Sequence, residues 1–166
     1  MHGFRAVVVL VTLSFTGTTF AQALDLPNEK APLEGITTSG QLTAAQLRAV
    51  ASAGYRTVID LRAPSEDRGM NEKTAVDALG MTYVNLPVDG AAGVTFANAA
   101  ALDALLSNAA QPVLLHCSTG NRAGALLALR AKLRGADDAA ALALGVAAGV
   151  TALKPTLEQK LAQGHD

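Results

Sequence analysis

Cys117 and Arg122, separated by Ser118-Thr119-Gly120-Asn121, are the residues of this chain whose types and spacing suit nucleophilic chemistry. The apolar run Pro112-Val113-Leu114-Leu115 leads through His116 into the cysteine, and an alanine-rich amphipathic segment follows the arginine. A strand that ends in a thiol, a short loop with Gly120, and an arginine opening a helix together form an anion-binding nucleophile. Thiolate is favoured beside a helix N-terminus and a cation. The same loop amides suit a tetrahedral oxyanion. Arg122 offers a planar fork for two of its oxygens, which a lysine lacks. Gly120 supplies a positive φ or a close backbone approach. Ser118, Thr119, Gly120 and Asn121 are therefore read with Arg122 as the substrate-binding loop, and Cys117 as the nucleophile.

Such chemistry needs an acid for the leaving group. Asp89 is the best candidate, at the end of the strand before the helix that leads into the cysteine strand, on the glycine-rich stretch Asp89-Gly90-Ala91-Ala92-Gly93. An Asp-Gly pair is also an ordinary turn. His116 alternates to the opposite face from Cys117 and is read as an organiser of the loop. Asp60, Arg62, Glu66 and Asp67 follow another strand end and read mainly as a salt-linked loop. His2, His116 and His165 are too scattered to build a metal site, so neither metal nor organic cofactor is expected.

Alternating elements must carry these residues. Thr43 with Gln46 forms a capping box for a helix over 44–53, closed by Gly54. A β-branched strand follows at 56–61. A polar loop over 62–71 precedes a short helix from Glu72 to Leu79, and a strand spans 81–88. Thr95 opens a helix to about Asn108, and a strand over 112–116 feeds the cysteine loop. Three helices finish the chain: from Arg122 to about Arg134, from the Asp137 cap to about Ala148, and over 154–163. This order predicts a single α/β domain with a mainly parallel sheet of four to five strands flanked by helices. Ligands of such sheets bind beyond the carboxyl ends of the strands, where Cys117 stands.

Residues 1–23 read as a signal peptide: one early positive charge, an apolar stretch at 6–13, and the small-x-small triplet Ala21-Gln22-Ala23. The stretch is too short and too interrupted to span a bilayer stably. The catalytic domain is then 24–166, exported and expected in the periplasm. A formal net charge of −1 argues against a nucleic-acid surface or a polybasic membrane patch. With one cysteine in the chain there is no internal disulfide, and a lone thiol in an oxidising compartment argues for chemistry.

On Gly54-Tyr55-Arg56-Thr57-Val58-Ile59-Asp60-Leu61-Arg62, on Tyr83 to Val88, and above all on Val113 to Gly124, the chain resembles a bacterial phosphatase-like family of the cysteine-dependent phosphatase superfamily. Its domain is found fused to β-lactamase-like hydrolases and often carries a sulfurtransferase name. The resemblance implies a dual-specificity-phosphatase-like fold. It also implies a hydrolase of phosphate monoesters acting through a thiophosphate on Cys117, with Arg122 and the loop amides holding the oxygens and Asp89 as acid. Two departures keep alternatives open. Four residues separate cysteine from arginine, the rhodanese spacing, where active dual-specificity phosphatases have five, and Ala123 replaces the hydroxyl residue after the arginine. A Cys117 persulfide sulfurtransferase and a non-catalytic oxyanion-binding module are the other readings. The expected partner is a phosphorylated or sulfur-bearing small molecule or protein.

Overall fold

The structure is a computed structural model and describes residues 24–164; the expected signal segment at 1–23 and His165 lie outside them. A five-stranded sheet runs in the order β1-β2-β5-β3-β4. Its strands are β1 (Lys30–Leu33), β2 (Ile36–Ser39), β3 (Thr57–Asp60), β4 (Thr82–Asn85) and β5 (Val113–His116). Only β1–β2 is antiparallel, whereas β2–β5, β5–β3 and β3–β4 are parallel. The mainly parallel α/β fold expected from the sequence is the one found.

β1 carries no strand signal in the sequence, because Lys30-Ala31-Pro32-Leu33 has neither β-branched residues nor alternation. It sits at the sheet edge, where a proline without an N–H is tolerated. The expected strand 81–88 is shorter, Thr82–Asn85, and Pro87 lies in the extended tail beyond it.

Two helices cover one face: α1 (Ala44–Ser52) and α2 (Glu72–Ala78). The other face carries α3 (Phe96–Asn108), α4 (Asn121–Leu133), α5 (Asp138–Ala147) and α6 (Lys154–Gln163). The caps read from the sequence are present. Thr43 and Gln46 form the reciprocal box, and Thr95 and Asp137 accept from the N–H groups of Asn98 and Ala140. Each cap satisfies a donor that the first helical turn leaves open.

Strand alternation divides the interior in two. Val113, Leu115, Ile59 and Cys117 face the four-helix side, whereas Leu114 and Val58 face α1 and α2 with Leu47, Val50 and Val76. α4 lies deepest, buried continuously from Asn121 to Leu129. Its close approach to α5 depends on two glycines: a Cβ on Gly124 would stand 2.8 Å from the Gly145 carbonyl oxygen and 3.0 Å from the Val150 nitrogen.

Candidate active site

β5 delivers Cys117 to the carboxyl edge of the sheet, and Gly120 caps α4 with φ +86°. That left-handed conformation lets the chain turn from strand to helix in four residues, at a strain that side-chain-bearing residues rarely accept. Neighbouring segments then set which way the loop peptides face. Gln41 N–H donates to the Ser118 carbonyl at 3.1 Å, and Asn28 Nδ2 donates to the Thr119 carbonyl at 3.2 Å. Because N–H and C=O of a trans peptide point in opposite directions, carbonyls tied outward turn the next N–H groups inward. Gly120 N–H accordingly donates to Cys117 Sγ at 3.1 Å. The amides that open α4 add the positive end of the helix.

Cys117 is nearly sealed, with 1% of its surface exposed. Over it lies Arg122, itself 7% exposed. Nη1 of Arg122 donates to Glu66 Oε1 at 2.5 Å and to the Val88 carbonyl at 2.9 Å; Nη2 donates to Glu66 Oε2 at 2.7 Å and to Ser118 Oγ at 2.6 Å. Ser118 Oγ donates in turn to Glu66 Oε2 at 2.7 Å. Hydrogen bonds from Arg122, outweighing partial burial and helped by Ser118, bring the Glu66 carboxyl from 4.5 down to about 2. Glu66 raises the Arg122 pKa in return, with the Cys117 sulfur contributing. The guanidinium therefore stays charged against both.

A cavity of about 410 Å³ opens beside this group and is lined by Ala63, Glu66, Asp89, Thr119, Arg122 and Leu153 among others. Asp89 is exposed and lines the same cavity as the first residues of α4, on the turn closed by its own carbonyl and Gly93 N–H at 2.8 Å. The structure thus brings Asp89, Thr119, Asn121 and Arg122 to one cavity; of the other loop residues Cys117 and Gly120 are buried, and the exposed Ser118 bonds the Arg122 guanidinium.

Asn121 has a second attachment. Its Oδ1 accepts from Thr151 N–H at 2.8 Å and Leu153 N–H at 3.1 Å, and its Nδ2 donates to Thr119 Oγ1 at 3.2 Å. The segment between α5 and α6 is thereby fastened onto the loop. Neither this wall nor the Arg122–Glu66 pair is visible in local sequence pattern. Glu66 carried only the signal of an acidic residue after a strand end.

His116 lies on the other face, as alternation requires. Its Nε2 is 2.9 Å from Glu72 Oε1 and 3.9 Å from Asp60 Oδ1, all three residues being buried. These three offer ligand atoms within 4.8 Å of one another, a donor set of the kind a cation uses. The Arg62 guanidinium supplies a positive charge to both carboxylates: it is bonded to Asp60 through Nε at 2.9 Å and to Glu72 through Nη2. Asp60 also accepts from Arg68 Nε and Tyr83 Oη, each at 2.9 Å. Burial pushes the Asp60 carboxyl up, but Arg62 hydrogen bonds and the His116 and Arg62 charges bring it down to about 2. This network ties the end of β3 to α2 and to the residue before the nucleophile.

The profile of the family described as DSP-PTPase phosphatase fused to NAD+ kinase matches residues 18–160. A β-lactamase hydrolase-like protein of Agrobacterium fabrum is 33% identical over 106 residues, which cover 61% of this chain and 24% of that protein. The match therefore spans about a quarter of that relative's length. A candidate phosphatase from Neisseria meningitidis superposes with a TM-score of 0.68 at 23% identity, covering 80% of this chain and 98% of that one. The core catalytic domain of the PP-IP phosphatase Siw14 from S. cerevisiae gives a TM-score of 0.61 at 19% identity, covering 85% and 87% respectively. The fold is that of the dual-specificity phosphatases.

Proposed function

Because the chain belongs to the family described as DSP-PTPase phosphatase fused to NAD+ kinase, we propose that it is a hydrolase of phosphate monoesters with Cys117 as its nucleophile. The observation that carries this reading is the Gly120 N–H donated to Cys117 Sγ at 3.1 Å, beneath a guanidinium that faces a cavity shared with Asp89. In the first step the Cys117 thiolate attacks phosphorus, the S–P bond forms, the ester P–O bond breaks, and the leaving alkoxide takes a proton from Asp89. In the second, water attacks the thiophosphate and gives its proton back to Asp89. The S–P bond then breaks to return thiolate and inorganic phosphate. Arg122 and the amides at the start of α4 stabilise the charge that gathers on the equatorial oxygens.

Among the described residues lining the cavity Arg122 is the sole basic one, and Glu66 and Asp89 are acidic. Charge balance therefore favours a substrate with one phosphoryl group on a small, otherwise uncharged alcohol or phenol. Residues 1–23 serve in this reading as an export signal. A first residue of Leu24 in the protein recovered from the periplasm checks it.

The four-residue interval between Cys117 and Arg122 supports a second reading, sulfur transfer through a Cys117 persulfide. Assays of the reduced protein and its Cys117→Ser variant, for aryl-phosphate hydrolysis and for thiocyanate formation from thiosulfate and cyanide, decide between them. Cysteine-dependent phosphate release, reduced about 10²- to 10⁴-fold in Asp89→Asn, is the result expected. Cysteine-dependent thiocyanate without phosphate release would replace hydrolysis by sulfur transfer.

A further inference from the structure

Arg122 has five N–H groups to give. Nη1 is saturated by Glu66 Oε1 and the Val88 carbonyl, with the Leu61 carbonyl at 3.5 Å, and Nη2 by Glu66 Oε2 and Ser118 Oγ. Among the described residues, only Nε–H is without a protein oxygen as partner. A bidentate grip on an oxyanion needs two N–H groups side by side, so no such grip is available while these contacts hold. The Val88 carbonyl belongs to the backbone of a buried residue and stays where it is. Glu66 is a different kind of occupant. Its carboxylate takes both arms of the fork, the Ser118 hydroxyl and the Ala63 N–H at 2.7 Å, which is how a bound phosphate or sulfate would be held.

We infer that Glu66 is a built-in competitor for the oxyanion seat, and that a substrate reaches Arg122 and Cys117 by displacing its carboxylate. The inference rests on the oxyanion-binding reading above and adds a selectivity element to it. The displaced anion carries one charge, so a doubly charged tetrahedral group competes best and weakly charged ligands fail to open the site. The movement is confined to a side chain. Arg68 pins the backbone of the loop through the Arg62 carbonyl at 3.0 Å and the Ala63 and Glu66 carbonyls at 3.3 Å, while its Nε holds Asp60. The Glu66 side chain keeps 30% of its surface in solvent, so it has a place to go without carrying the loop along. Ser118, released with it, is then free to turn its hydroxyl toward the incoming group.

The test needs no turnover, so it stands apart from the fate of the phosphatase reading. Cys117 is alkylated with iodoacetamide in the full chain, alone and with increasing inorganic phosphate or thiosulfate, and the protection curve gives the apparent Kd for each anion. Glu66→Gln keeps the shape and removes the charge, and Glu66→Asp keeps the charge on a side chain one methylene too short. Both are first checked for a native melting transition, and either alone suffices. The expected result is tighter binding of at least one of the two anions, by about tenfold for loss of one charge-assisted contact pair, with faster alkylation in the absence of anion. Tightening for phosphate assigns the seat to phosphoryl groups, and for thiosulfate to sulfur donors. Unchanged or weaker binding of both anions would show that Glu66 is a strut holding Arg122 in place and would overturn the inference. Hydrolysis by the parent protein together with weaker binding in the variants would remove the inference and keep the phosphatase reading. Tighter binding without hydrolysis would do the reverse.

Discussion

Arg62→Met removes the cation from the buried network behind the nucleophile. The guanidinium is 1% exposed and bonds Asp60 at 2.9 and 3.2 Å as well as Glu72. The two carboxylates do not lose equally. Asp60 keeps the backbone N–H of residue 62 at 2.9 Å, Arg68 and Tyr83. Among the described residues Glu72 keeps only its approach to His116 at 2.9 Å. The variant therefore leaves one uncompensated buried carboxylate, at a cost of about 3–5 kcal/mol. Unfolding entropy for a domain of this size is about 0.3 kcal/mol/K, so Tm falls by roughly 10–17 °C. Differential scanning calorimetry at neutral pH measures it. The double replacement Arg62→Met with Glu72→Met is the control. With no orphaned charge left, it should recover most of the loss, because an apolar substitute for a buried ion pair is close to neutral. A single variant that loses less than about 1 kcal/mol, or a double variant no better than the single, would refute the assignment of this network as paired charge whose value lies in completeness.

Gly124→Ala drives a methyl group to 2.8 Å from the Gly145 carbonyl and from Val150 Cγ2; separating α4 from α5 should cost about 1–3 kcal/mol in a urea titration. Asn121→Ala strips the acceptor from Thr151 and Leu153 N–H, so amide exchange of residues 150–153 should accelerate while the sheet stays protected; uniform exchange would contradict the tether. Acid sensitivity follows from two carboxyls held low. Asp60 goes from 3.8 to about 2 and Glu66 from 4.5 to about 2 on folding, so the unfolded chain binds more protons in between. Their stabilisation is complete above about pH 5 and is lost as pH falls toward 2, with roughly 2 kcal/mol from Asp60; denaturation midpoints at pH 5, 4 and 3 should fall in that order. Burial and the Asp60 hydrogen bond raise Tyr83 to about 12, so an ultraviolet titration of a Tyr55→Phe variant should show no phenolate step near pH 10.

Much of this protein is written locally. The capping box at Thr43 and Gln46, the caps at Thr95 and Asp137, and the β-branched run before Asp60 depend on contacts within a few residues, and each element appeared within a residue or two of its expected bounds. Strand alternation alone put His116 and Cys117 on opposite faces. The same locality placed the anion loop, since a thiol at a strand end and Gly120 before a helix need no distant partner to define them. What the chain could not declare locally was decided by pairing across the fold. Glu66 and Arg122 lie fifty-six positions apart and Asn121 and Thr151 thirty, and no periodicity links such residues. β1 carries no strand pattern and exists because β2 offers it an edge. The tertiary structure decided most about electrostatics. It placed a carboxylate in the fork that the sequence assigned to substrate, because an arginine brought beside a buried sulfur is surrounded by whichever acceptors the neighbouring loops carry there.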